Sequence, residues 1–273
     1  HDGRILVTGG GSGVATTTSP AIQSAEIFDP ATGMFTVIGN MVTARSAHSA
    51  TRLADNTVLI TGGSAGVGTR FPTKTAEIYN PADNTFTDLA PMNFSHLAQN
   101  PGLLRDGRLV QPSSYYNDTH TAAGGLITAE SEIYDAATRL FTPIEPMFKQ
   151  RIDIGAIGLL DGSLLVAGGV TTSPNFPSIF QSSSEIYDPV SGHWKLSGIM
   201  SSGRDEFSGL LLDDGRAMIS GGFVSPGAIL LKSVEIYTPG LHSQVKGFEN
   251  LLADTPDSAL RFGNVSRLLL GLR

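Results

Sequence analysis

Asp153 and Glu206 are the residues of this chain whose type and spacing best suit chemistry. Each stands two residues after an arginine, Arg151 or Arg204, in a segment that recurs along the sequence. If the recurrence brings equivalent positions together, two carboxylates beside two guanidiniums can serve as a general acid and base, or hold a cation. The competing reading is a ring of solvated charges in which each arginine pairs with a neighbouring carboxylate. Ala47, Ala98 and Gly263 fill the matching positions elsewhere, which favours that plainer reading. A second group is aromatic. Phe71, Tyr115, Tyr116, Phe176, Phe180 and Phe223, with His120 and Asn175 among them, lie in long segments rich in Gly, Ser, Thr and Pro. Rings of this kind stack on sugars or anchor protein partners. Their alternative task is to pack their own loops. The candidate ligand contacts are therefore Phe71, Tyr115, Tyr116, His120, Phe176, Arg151 and Arg204.

Other constellations are weaker. A glutamate opens the recurrent Glu-Ile-Tyr triplet, and its repetition points to structure: a carboxylate on an internal strand pairs with a repeat arginine or accepts backbone N–H bonds. Gly9-Gly10-Gly11-Ser12-Gly13 has no helix pattern after it, so it does not read as a phosphate-binding loop. The six histidines have no metal-ligand spacing; His48 and His96 alone share nearly equivalent positions, a thin basis for a metal site. No nucleophile elbow or Ser/His/Asp order stands out. Asn93, Asn117 and Asn264 open triplets of the glycosylation pattern, which arise often by chance.

The elements that must position these residues are set by a repeat. Asp55-Asn56 leads into an alternating apolar run that ends on Gly62-Gly63, and the frame returns to end on Gly9-Gly10, Gly168-Gly169 and Gly221-Gly222. A further copy starts at Asp106-Gly107 but carries Ser113-Ser114 where the glycines should be. The spacings between the leading aspartates are 53, 51, 55 and 53 residues. Periods near 50 indicate propellers or solenoid arrays. Each unit predicts four strands: an inner one, the run to the double glycine, the Glu-Ile-Tyr strand (Glu26, Glu77, Glu132, Glu185, Glu235) and a last one. Aromatics at Phe35, Phe86, Phe141 and Trp194 are followed by Met41, Met92, Met147 and Met200, then by Arg45, His96, Arg151 and Arg204, in one register.

The double glycine, the tyrosine near the end of the third strand and the aromatic in the fourth resemble the kelch repeat over nearly the whole chain. The resemblance implies an all-β, kelch-type β-propeller whose blades have their first strand innermost, around a channel. It does not imply one function. Some kelch-like propellers resemble galactose oxidase, a copper radical enzyme. That chemistry needs a tyrosine cross-linked to a cysteine, and this chain has no cysteine.

The expected domain is a single propeller over residues 1–273, with repeats at about 1–44, 45–95, 96–150, 151–203 and 204–260. Arg261 to Leu270 resembles the inner-strand runs after Arg151 and Arg204. Residues 261–273 are therefore expected to supply the first blade's inner strand and close a five-bladed ring. A fragment of a six- or seven-bladed ring is the alternative. His1 is not a natural start, which suggests a processed or trimmed chain. Alternating strand direction places the second-to-third connections and the blade-to-blade connections on one face, where binding residues gather.

Composition narrows the function. The formal net charge of −7, without a basic run, argues against a nucleic-acid partner. No apolar stretch reaches the roughly 18 residues of a membrane span. The expected function is a binding module for a protein or glycan, outside the cell or at its surface, with no cofactor. A glycan hydrolase or lyase using Asp153 and Glu206 is the alternative.

Overall fold

The computed structural model describes residues 3–11, 20–65, 72–97, 100–116, 126–173, 176–224, 229–240 and 248–250. Turn chemistry starts each unit. Asp55 Oδ1 accepts from Thr57 N at 3.0 Å and Thr57 Oγ1 at 2.6 Å, while Asn56 takes φ +72°. Asp106, Asp161 and Asp214 accept from the amide two residues on in the same way. These Asx turns reverse the chain tightly and deliver the apolar run as a strand.

The first sheet holds β1 (Ile5–Thr8), β2 (Ser24–Asp29) and β3 (Met34–Asn40). β4 (Ser49–Arg52), β5 (Val58–Thr61), β6 (Ala76–Asn80) and β7 (Thr85–Asp88) form the second. In the third, β8 (Gly102–Leu103) and β9 (Leu109–Gln111) lead into a hairpin of β10 (Ser114–Tyr116) and β11 (Leu126–Thr128). The chain then returns to that sheet as β12 (Ser131–Asp135) and β13 (Leu140–Ile144). The fourth repeats the plan with β14 (Gly155–Gly158), β15 (Leu164–Ala167), the hairpin β16 (Val170–Ser173) and β17 (Phe176–Phe180), then β18 (Ser183–Asp188) and β19 (His193–Ile199). So does the fifth, with β20 (Ser208–Leu211), β21 (Ala217–Ser220), the hairpin β22 (Phe223–Val224) and β23 (Ile229–Leu230), then β24 (Val234–Tyr237) and β25 (Phe248–Asn250). Every pairing is antiparallel. The strand expected over 261–273 lies outside the described residues.

Sheets pack face to face, each through one apolar cluster. Ile157, Leu165, Met200, Ile219 and Tyr237 join the fourth to the fifth, and Val110, Ile133, Met147, Leu164 and Trp194 join the third to the fourth. The recurrent methionine is thereby explained: Met41, Met92, Met147 and Met200 are each buried in one of the four clusters. Burying such a side chain stabilises by roughly 1.5–3 kcal/mol. The recurrent aromatics face each other across the third and fourth strands, Tyr79 on Phe86 at 4.9 Å and Tyr187 on Trp194 at 5.2 Å between centroids.

The double glycines make room for close approach. A Cβ on Gly168 would stand 2.6 Å from Phe207 and 2.7 Å from the Arg204 carbonyl, at φ +62°. Ser113 keeps that left-handed backbone at φ +62°, and its Oγ donates to the Thr128 carbonyl at 2.6 Å. Ser114 does not keep the second glycine's positive φ, and begins β10 instead. The third unit thus follows the others at one position of the pair and departs at the next.

Candidate functional site

Isolated bridges join Ser46 to Ser64, Thr73 to His96, Ile152 to Val170 and Asp205 to Phe223. They hold each segment that enters a sheet against a second-to-third-strand connection, so both kinds of connection share one face. The segments expected as loops carry three hairpins there, β10–β11, β16–β17 and β22–β23.

Beneath that face runs a repeated ion-pair clamp. Glu77 Oε1 accepts from Arg45 Nη2 at 2.7 Å, and Oε2 accepts from Val42 N at 2.8 Å. Arg45 Nη1 donates to the carbonyls of Gly62 at 2.7 Å and Thr75 at 3.2 Å. Arg151 repeats this with Glu185, Gly168 and Ser183, and Arg204 with Glu235, Gly221 and Ser233. His96 takes the place in the third unit, its Nε2 2.8 Å from Glu132 Oε1. Burial pushes the Glu132 carboxyl up, but His96 and the Asn93 amide and side chain outweigh it and hold the group below its usual range.

The repeat glutamate is therefore structural in the second to fifth sheets, tying each of them to the chain that enters it. One expectation needs correction. Arg151 and Arg204 do not reach the rim as ligand contacts. Both side chains are fully buried and committed to glutamates. An arginine stripped of water is retained only where such partners replace the water.

Asp153 and Glu206 sit on this face, one half-buried and the other exposed. Their φ values of +54° and +47° are unusual for non-glycine residues, yet Ala47 has φ +50° at the equivalent place. That conformation belongs to the repeat rather than to chemistry. Between Arg204 and Glu206 lies Asp205, only 4% exposed. Its Oδ1 has no hydrogen-bond partner among the described residues. Burial first, then the charges of Asp153 and Glu206, push its carboxyl up to about 6.

The three carboxylates thus share one electrostatic field at the junction of the fourth and fifth sheets. Sequence reasoning singled out the outer two and passed over the middle one. A signal was present: Ser46, Leu97 and Ile152 occupy the repeat positions equivalent to Asp205, so a carboxylate stands where small or apolar residues are the pattern. Among the described residues no group of three His, Cys, Asp or Glu side chains is placed to hold a metal ion. His48 and His96 have other tasks. His48 Nε2 lies 2.9 Å from Thr8 Oγ1, and burial and then the Arg45 charge bring its ring down to about 4, while His96 serves Glu132.

The aromatic rim is partly in view. Tyr115 is half-buried on β10, where its amide donates to the Ser95 carbonyl at 2.9 Å. Tyr116 and Phe176 occupy hairpin strands, opposite Leu126 and Ser173. Phe71 and His120 lie outside the described residues, as does Asn175. Phe180 meets Phe223 edge-on at 5.6 Å, joining the hairpins of the fourth and fifth units, and β11 lies alongside β16. Three hairpins thereby form one wall. A cleft of about 740 Å³ opens away from it, among Arg4, Arg52, Asp55 and Tyr79 near the Asx-turn ends of the first two sheets. No helix among the described residues is long and apolar enough to cross a membrane.

Residues 45–93 match the family model described as Kelch motif. The structure of YjhT superposes with a TM-score of 0.73 at 14% identity, covering 92% of this chain and 82% of that chain, a likeness of fold. A fungal alcohol oxidase of the AA5 family in complex with copper gives a TM-score of 0.45 at 21% identity, over 81% of this chain and 56% of that one. At that score the second likeness carries no weight. No curated protein matches the sequence.

Proposed function

The chain is a kelch-type β-propeller, and from that premise we propose that its hairpin-bearing face binds a protein or a glycan. Kelch propellers are interaction modules in general, and fold alone names no ligand. What supports the reading is the wall of three hairpins mounted on rigid, face-packed sheets, with Phe180 against Phe223 at its centre. Tyr115, Tyr116 and Phe176 on those hairpins are the proposed contacts, with Phe71 and His120 from the same connections. Residues 261–273 are proposed to complete the first sheet as its inner strand.

The test is a screen of glycans and candidate partner proteins against the wild type and a Tyr116→Ala, Phe176→Ala double variant. Loss of at least tenfold in affinity, about 1.4 kcal/mol, is expected for the double variant. The second reading, a hydrolase or lyase, draws on the shared field of Asp153, Asp205 and Glu206. Turnover of any glycan that disappears in an Asp153→Asn, Glu206→Gln variant would establish it and overturn the binder.

A further inference from the structure

We propose that Leu269 docks into the cleft between the first and second sheets, carried there by residues 265–268 paired with β1. This rests on the reading that residues 261–273 complete the first sheet, and it fixes their register. At three other junctions a leucine has this task. Leu53, Leu104 and Leu159 each stand two residues before a turn aspartate and are 4%, 3% and 1% exposed. Leu53 shares one apolar cluster with Leu59, Ile78, Leu109 and Tyr134. Leu104 and Leu159 sit in clusters with the residues that strand register makes equivalent to those four. The amides of Leu53, Leu104 and Leu159 each donate across the turn to the carbonyl four residues on, at 2.8 Å.

At the first junction the same four positions are Leu6, Ile27, Val58 and Tyr79, and all four line the cleft of about 740 Å³. Their cluster holds no counterpart of Leu53 among the described residues. Leu6 and Val58 are accordingly only half-buried, where their counterparts Leu59 and Leu109 are at most 1% exposed. Apolar surface of that kind gains from one more aliphatic side chain. The chain supplies it in register. Leu53, Leu104 and Leu159 follow Arg45, His96 and Arg151 by eight residues, and Leu269 follows Arg261 by eight. Length allows the connection. Phe248 on β25 precedes Arg261 by 13 residues, against ten from its counterpart Trp194 to Arg204. In that register Leu268 stands opposite Ile5, as Arg52 does opposite Val58 and Gly158 opposite Leu164. The Leu269 amide then meets the carbonyl of Arg4, at the rim of the cleft.

The chain has no cysteine, so an introduced disulfide reports a single pairing. Three double variants of the full chain carry Ile5→Cys with Ser266→Cys, Leu268→Cys or Leu270→Cys, and are oxidised at low protein concentration. Directly opposed strand residues lie about 4.5–5.5 Å apart between Cα atoms, within disulfide reach, and a slip of two residues takes them out of it. Mass spectrometry and gel mobility are expected to show a bond within one chain for Leu268→Cys and little for the other two. Urea melts supply the second measurement: Leu269→Ala should lower the midpoint about as far as Leu159→Ala, and Leu270→Ala should not. A bond favoured by Ser266→Cys or Leu270→Cys, or a Leu269→Ala midpoint equal to that of the wild type, would overturn the docking of Leu269 and leave the closing strand standing. Bonds only between two chains, or none in any variant, would overturn both.

Discussion

Asp205 carries a stability cost with a definite pH signature. Its folded carboxyl is raised from 3.8 to about 6, so between those values the folded protein holds a proton that the unfolded chain has released. Stability from this group therefore falls as pH rises through that window, and the full penalty stands above pH 6. Asp205→Asn removes it. The variant is expected to gain stability at pH 7, and the gain to shrink to nothing near pH 3.5. Urea melts across that range measure it, and equal stability of both proteins at pH 7 would refute it. His48 works in the opposite sense. Its ring is lowered to about 4, so the folded state loses stability as pH falls from 6.5 towards that value.

At the scale of the element, the double glycine that ends the second strand of every unit but the third is held in place by contact as well as by backbone. Gly168 and Gly192 both have positive φ, +62° and +76°. Around Gly192 nothing lies within 4 Å of an added Cβ, whereas Gly168 faces the Phe207 ring and the Arg204 carbonyl within 2.7 Å. Gly192→Ala should cost about 1–2 kcal/mol, the left-handed penalty alone. Gly168→Ala adds overpacking of about 1–3 kcal/mol to it. Denaturant midpoints for the two variants, measured side by side, give the comparison. Equal losses would mean that the next unit's entry segment does not need the space.

For the whole molecule the open question is how the first sheet meets the last. β1 pairs only with β2 among the described residues, and Ile5, Val7, Phe35 and Val37 are exposed. A bare apolar edge strand invites aggregation. Glu26 lies opposite Val7 as Glu185 lies opposite Val166. Arg261 stands in the sequence as Arg151 does, two residues before Gly263, the counterpart of Asp153. If residues 261–273 complete the first sheet, Arg261 pairs with Glu26, and Arg261→Ala should destabilise about as much as Arg151→Ala, roughly 3–5 kcal/mol. Deleting everything after Ala259 should cause aggregation and loss of cooperative unfolding. A truncated chain that stays monomeric and melts as before excludes the closure.

What the sequence determined by itself is what neighbours along the chain can encode. Asx turns at Asp55 and Asp161, period-two strands and the Glu-Ile-Tyr register depend on bonds between residues two apart and on pairing with the preceding strand of the same unit, and each proved legible. Even the partner of the repeat glutamate could be reasoned out, because an internal carboxylate must find donors. Tertiary structure alone decided exposure. Arg151 looked like a rim residue until Glu185 and the Gly168 carbonyl, 34 and 17 residues away, enclosed it. Asp205 is removed from water only by the bridge to Phe223 and the packing of two sheets. Burial is set jointly by several segments at once, and no local pattern carries that sum.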